Sequence, residues 1–284
     1  MKTQTADQIG VCSWSLQATG PQDLAAKVKA LGLTKVQLGL TPHRDDPGTW
    51  EGVQEILGEA GISIVSGMFS TIGEDYTTPE TIRKTGGIVP DEHWEGNQKI
   101  AEAAAALARQ MGLKLVSTHA GFLPHEPSDP DFDKLSGRVA ALAQMYARIG
   151  ASLLLESGQE SADTLRMFLD EMARQGASNV TVNFDPANLI LYDMDEPIEA
   201  LRKLVAHVQQ VHVKDAKRTT LKGKWGEEVI VGTGQVDWLA FVRILAEADY
   251  QGDYIFEREA GDDRVGDILK GMAALKAAMQ EVAS

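Results

Sequence analysis

Cysteine is nearly absent from this chain of 284 residues: Cys12 is the single one, so no internal disulfide bond can form. Cys12 lies in an apolar segment, which favours a small buried side chain over a reactive thiol. No run of about 18 consecutive apolar residues occurs, so the sequence predicts no membrane-spanning helix. The opening segment MKTQTADQIG lacks the apolar stretch of a secretory signal, and we therefore expect a cytoplasmic location.

Basic tracts are also lacking. The chain has 27 Lys and Arg residues against 41 Asp and Glu residues, which gives a net charge of −14. Such a charge repels nucleic-acid phosphates, so we expect no nucleic-acid partner. A net negative charge suits a soluble enzyme that acts on a small molecule. Homo-oligomerisation is compatible with it.

Short apolar segments rich in β-branched residues recur at fairly even intervals and predict buried parallel strands. They lie at 9–15, 34–40, 62–69, 113–119, 151–156, 180–185, 208–214 and 253–258. Helical patterns fall between them, at 21–33, 48–60, 93–111, 131–149, 161–175, 195–206, 236–249 and 264–281. This alternation, with no Ser/Gly-rich linker, predicts an α/β fold with a single (β/α)8 TIM barrel, in one domain over residues 1–284.

Polar residues stand where several of these apolar runs end. The runs LVSTHA, SLLLES, VTVNFD, VQQVHVKD and YIFERE deliver His119, Glu156, Asp185, His212 and Glu257. The last four follow one another at 29, 27 and 45 residues, and one β/α unit needs about 30. We therefore expect them at equivalent places on successive strands, at the carboxyl end of the barrel where active sites form.

Three carboxylates and one imidazole form the predicted set Glu156, Asp185, His212 and Glu257. Oxygen ligands with a single nitrogen ligand favour one divalent ion such as Mn²⁺, Mg²⁺, Co²⁺ or Zn²⁺. Without a cation, three clustered carboxylates repel one another strongly. The alternative is four unrelated polar residues, each hydrogen-bonded locally at its own strand end.

Six segments carry a resemblance to a known family: HAGF, LLESGQE, NFDPANLILY, QVHVKDA, VGTGQVDW and IFERE. Over nearly its whole length the chain resembles the sugar isomerase/epimerase superfamily related to xylose isomerase, also called the AP-endonuclease family 2 barrels. The resemblance implies that Glu156, Asp185, His212 and Glu257 hold one divalent ion. Glu259, two residues further along the same strand face, is the alternative to Glu257.

The same resemblance implies proton transfer beside a sugar carbonyl through a metal-stabilised enediolate. In the epimerases of this family the two metal-bound glutamates remove and return the proton, which assigns Glu156 and Glu257 as catalytic base and acid. The expected activity is therefore a metal-dependent sugar or cyclitol isomerase or epimerase, with a small carbohydrate as substrate.

Four further residues are predicted to bind substrate. Trp14 could stack on a sugar ring or pack in the core, and His119 could contact substrate or support a ligand. Lys214 shares the face of His212, so it could bind a substrate oxygen or pair with an acid such as Asp185. Asn188 stands where many ketose epimerases have a histidine.

Asn188 is a departure from the epimerase pattern. An amide can hydrogen-bond a hydroxyl but cannot act as a general acid. Gln37, likewise, occupies a strand-two position that is often Glu in relatives. A keto-sugar or keto-inositol dehydratase or lyase therefore stays open, as does a non-catalytic sugar-binding barrel. A trinuclear zinc phosphodiesterase would need more histidines than the segment 213–284 offers.

Two connections are too long for simple loops and are expected to form walls or lids of the site. They span residues 70–92 and 215–235. The second contains GTG at 232–234, which could cradle a phosphate but is better explained as a tight turn into a helix.

Overall fold

Strands alternate with helices through residues 4–284, the part of the chain that the computed structural model describes. The strands are β1 (Ile9–Cys12), β2 (Lys35–Gly39), β3 (Ser63–Met68), β4 (Leu115–Thr118), β5 (Ser152–Glu156), β6 (Val180–Phe184), β7 (Val208–Val213), β8 (Asp215–Lys217), β9 (Glu227–Val229) and β10 (Tyr254–Phe256). The α-helices are α1 (Pro21–Ala30), α2 (Leu40–Asp45), α3 (Val53–Glu59), α4 (Pro79–Thr85), α5 (Trp94–Met111), α6 (Phe132–Ala147), α7 (Ala162–Arg174), α8 (Pro186–Leu191), α9 (Pro197–Leu204), α10 (Trp238–Glu247) and α11 (Arg264–Ala283).

Eight of these strands close into a parallel barrel in the order β1-β10-β7-β6-β5-β4-β3-β2. Each predicted strand is present, and so is each of the eight predicted helices, which confirms the TIM-barrel fold. The organisation of residues 1–284 as a single domain stays a prediction. In residues 4–284 no helix combines the length and the apolar character needed to cross a membrane.

Sequence patterning accounts for how the barrel elements form. All five residues of β6 are buried, because helices cover the outer face of a parallel barrel and side chains fill its inside. Helix α1 begins at Pro21, whose missing N–H costs nothing there, and Gly32 follows the helix with φ 68°. The proline and the glycine thus delimit the helix where the sequence predicted its ends.

Seven of the eight barrel strands end before their apolar runs do, and β5 ends at Glu156 as its run predicted. The run 9–15 supplies only Ile9–Cys12 to β1, and Trp14–Leu16 turns away as a short 3₁₀ helix. After Cys12 the chain turns out of the barrel toward α1, although the predicted run continues to residue 15. The site residues consequently lie on the last residues of strands or just beyond them.

Both long connections contain secondary structure that the sequence interpretation left as loop. Helix α4 lies within 70–92, and an antiparallel hairpin pairs Asp215 with Val229 within 215–235. Each element is short: α4 has 7 residues and the hairpin strands have 3. Segments of that length carry too little periodicity to stand out in a sequence.

Asp215 organises the return of the hairpin into α10. Its buried carboxylate accepts the backbone N–H groups of Gly232 at 2.9 Å, Gly234 at 3.1 Å and Val236 at 3.1 Å. The indole N–H of Trp238 adds a further bond at 3.1 Å. The amides of Gly232 and Gly234 are therefore bonded to Asp215, and that of Thr233 is bonded to the backbone oxygen of Ile230, so the segment is a tight turn, not a phosphate cradle.

Candidate active site

The four predicted ligands meet at the carboxyl end of the barrel. Glu156 ends β5, Asp185 follows β6, His212 lies near the end of β7 and Glu257 follows β10. One ligand atom from each lies within 4.8 Å of the others, and all four residues are buried. The structure thus brings together residues that are up to 101 positions apart in the sequence. Their role as ligands stays a prediction.

The imidazole of His212 stands at the centre of the cluster. Its Nδ1 lies 3.4 Å from Glu156 Oε1, 3.4 Å from Glu257 Oε2 and 3.8 Å from Asp185 Oδ2. None of these contacts has hydrogen-bond geometry, so Nδ1 is a fully buried polar atom without a hydrogen-bond partner. Burying a polar atom without a hydrogen-bond partner destabilises the fold unless a water molecule, a ligand or an ion binds that atom.

Gln37 determines which nitrogen carries the proton when the ring of His212 is neutral. The oxygen Gln37 Oε1 lies 2.7 Å from His212 Nε2, and a carbonyl oxygen can only accept. In the neutral ring Nε2 therefore donates, and Nδ1, which faces the carboxylates, is the nitrogen that takes up a further proton or an ion. The amide nitrogen of Asn183 also lies 3.0 Å from Nε2, but the shorter contact with Gln37 decides the tautomer. Histidines that bind metals are oriented in this way by a carbonyl on the far nitrogen.

Charge in the cluster attracts cations. Burial by itself lowers the pKa of His212, but Glu156, Cys12 and Glu257 outweigh it and raise the pKa well above its usual value. A proton and a metal ion compete for the same lone pair, so the negative potential that favours the proton also favours the ion.

The ammonium group of Lys214 neutralises part of the negative charge of the cluster. Its Nζ, on a side chain that is 3% exposed, lies 2.9 Å from Asp185 Oδ2 and 2.5 Å from Glu257 Oε2. Burial opposes its charge, yet Asp185 and Glu257 raise the pKa of Lys214 well above its usual value. Of the two sequence interpretations of Lys214, the ion pair with Asp185 is the arrangement present.

The two glutamates predicted to transfer protons are both held ionised. Burial raises the pKa of Glu156, but His212 and then His119 outweigh it, so the net shift is downward. Burial likewise opposes ionisation of Glu257, while Lys214 and then His212 bring its pKa well below the usual value. A carboxylate in this state can accept a proton.

Hydrogen bonds orient both glutamates. Asn188 Nδ2 donates to Glu156 Oε1 at 2.9 Å, and Asn183 Nδ2 donates to Glu156 Oε2 at 3.3 Å. Trp14 Nε1 donates to Glu257 Oε1 at 2.8 Å, which leaves Oε2 turned toward Lys214 and His212. Each carboxylate is therefore fixed by donors on separate elements of the barrel.

All four predicted substrate-binding residues, Trp14, His119, Asn188 and Lys214, line one cavity above the cluster. His119 Nε2 lies 3.9 Å from Glu156 Oε1, so it is a neighbour of the cluster as well as of the cavity. The cavity measures about 780 Å³. Residues of both long connections form part of its wall, as the sequence led us to expect.

Glu257 and Glu259 occupy different environments. Glu257 is 4% exposed and contributes to the four-residue cluster, whereas the side chain of Glu259 is 56% exposed. The carboxylate of Glu259 reaches Lys214 Nζ only at 3.8 Å. The arrangement favours Glu257 as the ligand and leaves Glu259 on the cavity wall.

Three residues near His212 were missed or underrated from sequence. Asn183 shares the face of Asp185 two residues away, a period-two signal that could have found it. Gln37 had been noted only as a missing carboxylate. Cys12 is buried as expected, and burial raises the pKa of its thiol to about 12, but Sγ lies 3.7 Å from His212 Nε2.

The protein is a parallel β/α barrel that carries a cluster of three carboxylates and one imidazole at its carboxyl end, the end at which such barrels have their active sites. The chain belongs to the xylose isomerase-like TIM barrel family, whose model matches residues 25–278. A solved xylose isomerase domain protein from Planctomyces limnophilus is 32% identical, with a TM-score of 0.84, over 91% of this chain and 93% of that one.

Two other similarities concern named activities. A solved L-ribulose 3-epimerase shares the fold at 15% identity, with a TM-score of 0.73, over 97% of this chain and 95% of that one. An inosose dehydratase from Clostridium botulinum (strain Alaska E43 / Type E3) is 26% identical over 145 residues, which is 46% of this chain. That alignment spans 48% of the length of the dehydratase.

Proposed function

We propose that the protein is a divalent-metal-dependent sugar or cyclitol isomerase or epimerase that transfers a proton next to a carbonyl. The observation that carries the proposal is the buried Nδ1 of His212, which has no hydrogen-bond partner and faces three carboxylates. Its far nitrogen is held by Gln37, as in metal-binding histidines. Family membership and the resemblance to an L-ribulose 3-epimerase support the reaction class.

The donor set fits one divalent ion. Glu156, Asp185 and Glu257 offer oxygens and His212 offers a nitrogen, a combination suited to Mn²⁺, Mg²⁺, Co²⁺ or Zn²⁺. When bound, the ion would polarise the substrate carbonyl and stabilise the negative charge that develops beside it. Lys214 lies against two of the same carboxylates and would share their charge with the ion.

The protein's own residues would perform the proton transfer. Glu156 and Glu257 approach His212 Nδ1 from opposite sides of β7 in the strand order: Glu257 follows the neighbouring β10, and Glu156 ends β5, one strand beyond β6. A substrate bound at the cluster would therefore meet carboxylates that come from two different strands. One glutamate takes the proton from the carbon next to the carbonyl, which leaves an enediolate. That glutamate, now protonated, can return the proton to the neighbouring carbon, which gives an isomerase; for an epimerase, the other glutamate must first take a proton from solvent and then deliver it to the opposite face.

Neighbouring donors would keep each glutamate in place during the reaction. Trp14 holds Oε1 of Glu257, and Asn188 holds Oε1 of Glu156. Asn188 also lines the cavity, where its amide would orient a substrate hydroxyl without donating a catalytic proton.

A second candidate function is a keto-sugar or keto-inositol dehydratase. The similarity to an inosose dehydratase favours it, although it covers about half of that relative. Both reactions begin with the same proton removal, and they differ in whether a hydroxyl leaves from the adjacent carbon.

Replacing Gln37 tests the orientation of His212. We expect Gln37→Leu to weaken divalent-ion binding by about 10- to 100-fold, the usual cost of losing a partner behind a metal ligand. Calorimetric titration with Mn²⁺ measures the effect, and Gln54→Leu, on an exposed helix face, is the matched control. Wild-type affinity in Gln37→Leu would show that this hydrogen bond does not orient the ligand.

Solvent exchange tests the proposed function. Metal-loaded protein is incubated in D₂O with a panel of ketoses and keto-cyclitols, and products are followed by NMR and mass spectrometry. We expect deuterium at the carbon next to the carbonyl of at least one substrate. A product of unchanged composition identifies an isomerase or epimerase, and a product lighter by one water identifies the dehydratase. Absence of exchange and of product across the panel would leave only the non-catalytic sugar-binding barrel.

A further inference from the structure

The cavity is larger than a single reacting ring requires. At about 780 Å³ it lies in the upper part of the range of about 300–1,000 Å³ that ligand pockets span. A sugar ring placed over the cluster would lie beside Glu257, Asn188 and Lys214, which line the cavity and contact the cluster. The rest of the cavity remains for another portion of the substrate.

Besides Trp14, four aromatic side chains line the cavity, and we call them the aromatic chamber: Trp50, Tyr76, Tyr192 and Trp225. The rings of Tyr192 and Trp225 meet edge to face, with centroids 4.7 Å apart. Trp225 Nε1 donates to the backbone oxygen of Tyr76 at 3.1 Å, which ties the two long connections together. The rings of Tyr192 and Trp225 are therefore held by their neighbours, and both residues line the cavity.

The charges around the cavity disfavour an anionic substrate. Among the described residues that line it, Lys214 is the one lysine or arginine, and it is engaged by Asp185 and Glu257. Carboxylates of Glu74 and Glu259 also line the wall. Among the described lining residues, a phosphate group would meet these carboxylates and no lysine or arginine that is free of an ion pair.

We propose that the substrate is a neutral glycoside made of two rings. The keto ring lies over the cluster, and the second ring stacks its apolar C–H face on the aromatic chamber. Aromatic rings with fixed polar ends are suited to this contact, since they offer apolar area without losing much side-chain freedom. This inference rests on the proposed function and adds the size and charge of its substrate.

Matched pairs of sugars test the inference by calorimetric binding to the metal-loaded protein. Lactulose and isomaltulose are each compared with D-fructose, and 3-keto-cellobiose is compared with 3-keto-D-glucose. We expect at least one two-ring sugar to bind about tenfold tighter than its one-ring partner, the scale of a good aromatic contact. D-fructose 6-phosphate should bind more weakly than D-fructose.

Substitutions at Trp225 test whether the aromatic chamber causes the preference for two-ring sugars. Trp225→Ala should bring the ratio of the two affinities close to one, whereas Trp225→Phe, which keeps a ring, should retain most of it. Leu221→Ala is the matched control, because Leu221 lies in the same connection, is 65% exposed and does not line the cavity. A ratio near one in the wild-type protein, binding of no panel member, tighter binding of the phosphate, or a ratio unaffected by Trp225→Ala would each overturn the inference.

Exchange in D₂O separates this inference from the proposed function. Proton exchange of one-ring ketoses with no advantage for two-ring sugars would overturn the two-ring substrate and leave the reaction class standing. Tight binding of a two-ring sugar that depends on Trp225, without exchange or product from any sugar, would overturn the reaction class and support the aromatic chamber.

Discussion

Alanine at Asp185 or at His212 is expected to abolish divalent-ion binding. Each change removes one of four ligand atoms that lie within 4.8 Å of one another, and the cluster has no spare buried carboxylate to replace it. Elemental analysis of purified, dialysed protein measures metal per chain. We expect close to one ion in the wild-type protein and none in either alanine variant.

A second variant protects this test against misfolding. Asp185 Oδ1 also accepts the N–H groups of Ala187 and Asn188 at 2.8 and 2.9 Å, so alanine removes the N-terminal cap of α8 as well. Asp185→Asn keeps an oxygen for the cap but removes the ligand charge, and we expect it to fold and to bind the ion far more weakly. Circular dichroism checks the fold in each case.

Glu259→Ala is the matched control, because its exposed carboxylate lies outside the four-residue cluster. It should retain the ion, and Glu257→Ala should lose it. Stoichiometric metal in a folded His212→Ala or Asp185→Ala protein would refute the ligand assignment. Loss of metal in Glu259→Ala with retention in Glu257→Ala would transfer the fourth ligand position to Glu259.

The position of these residues could be predicted from the sequence because parallel strands fix it. An apolar run that ends in Glu156 or Asp185 indicates a buried strand and identifies its carboxyl end. In a closed parallel barrel every carboxyl end faces the same opening, so residues on separate strands converge there. Each run, which is a local feature, therefore predicted which distant residues lie together in the fold.

Contacts between side chains could not be predicted in the same way. Gln37 reaches His212 across the inside of the barrel, from β2 to β7, which are not neighbours in the strand order. No local period relates residues on such strands. Lys214 was equally compatible with a substrate contact or an ion pair, because a strand face limits where a long side chain points but does not choose its partner.

The aromatic chamber lies further beyond the reach of sequence patterns. Trp225 and Tyr76 are joined by a hydrogen bond across 149 residues, between segments with no regular apolar pattern. Their length alone indicated walls of the site. Which residues face the cavity depends on helix α4 and the hairpin, whose few residues carry no periodic signal.

Glu156→Gln and Glu257→Gln are each expected to reduce turnover by at least about a hundredfold, the usual scale of general acid–base catalysis. Each change removes a carboxylate that the structure holds ionised. An amide oxygen can still accept the bonds from Asn188 and from Trp14, so the local fold should survive. Steady-state rates are compared at saturating metal, with bound metal measured in every sample.

The two variants should differ in which half of the reaction they lose. If one glutamate serves each face of the substrate, one variant still exchanges deuterium into the substrate without completing turnover, whereas the other does neither. Glu259→Gln should be milder than both, because its carboxylate is exposed on the cavity wall. A metal-replete Glu156→Gln or Glu257→Gln protein with wild-type turnover would reduce that glutamate to a ligand. The base would then have to be sought among the other cavity groups, with Lys214 and His119 the nearest.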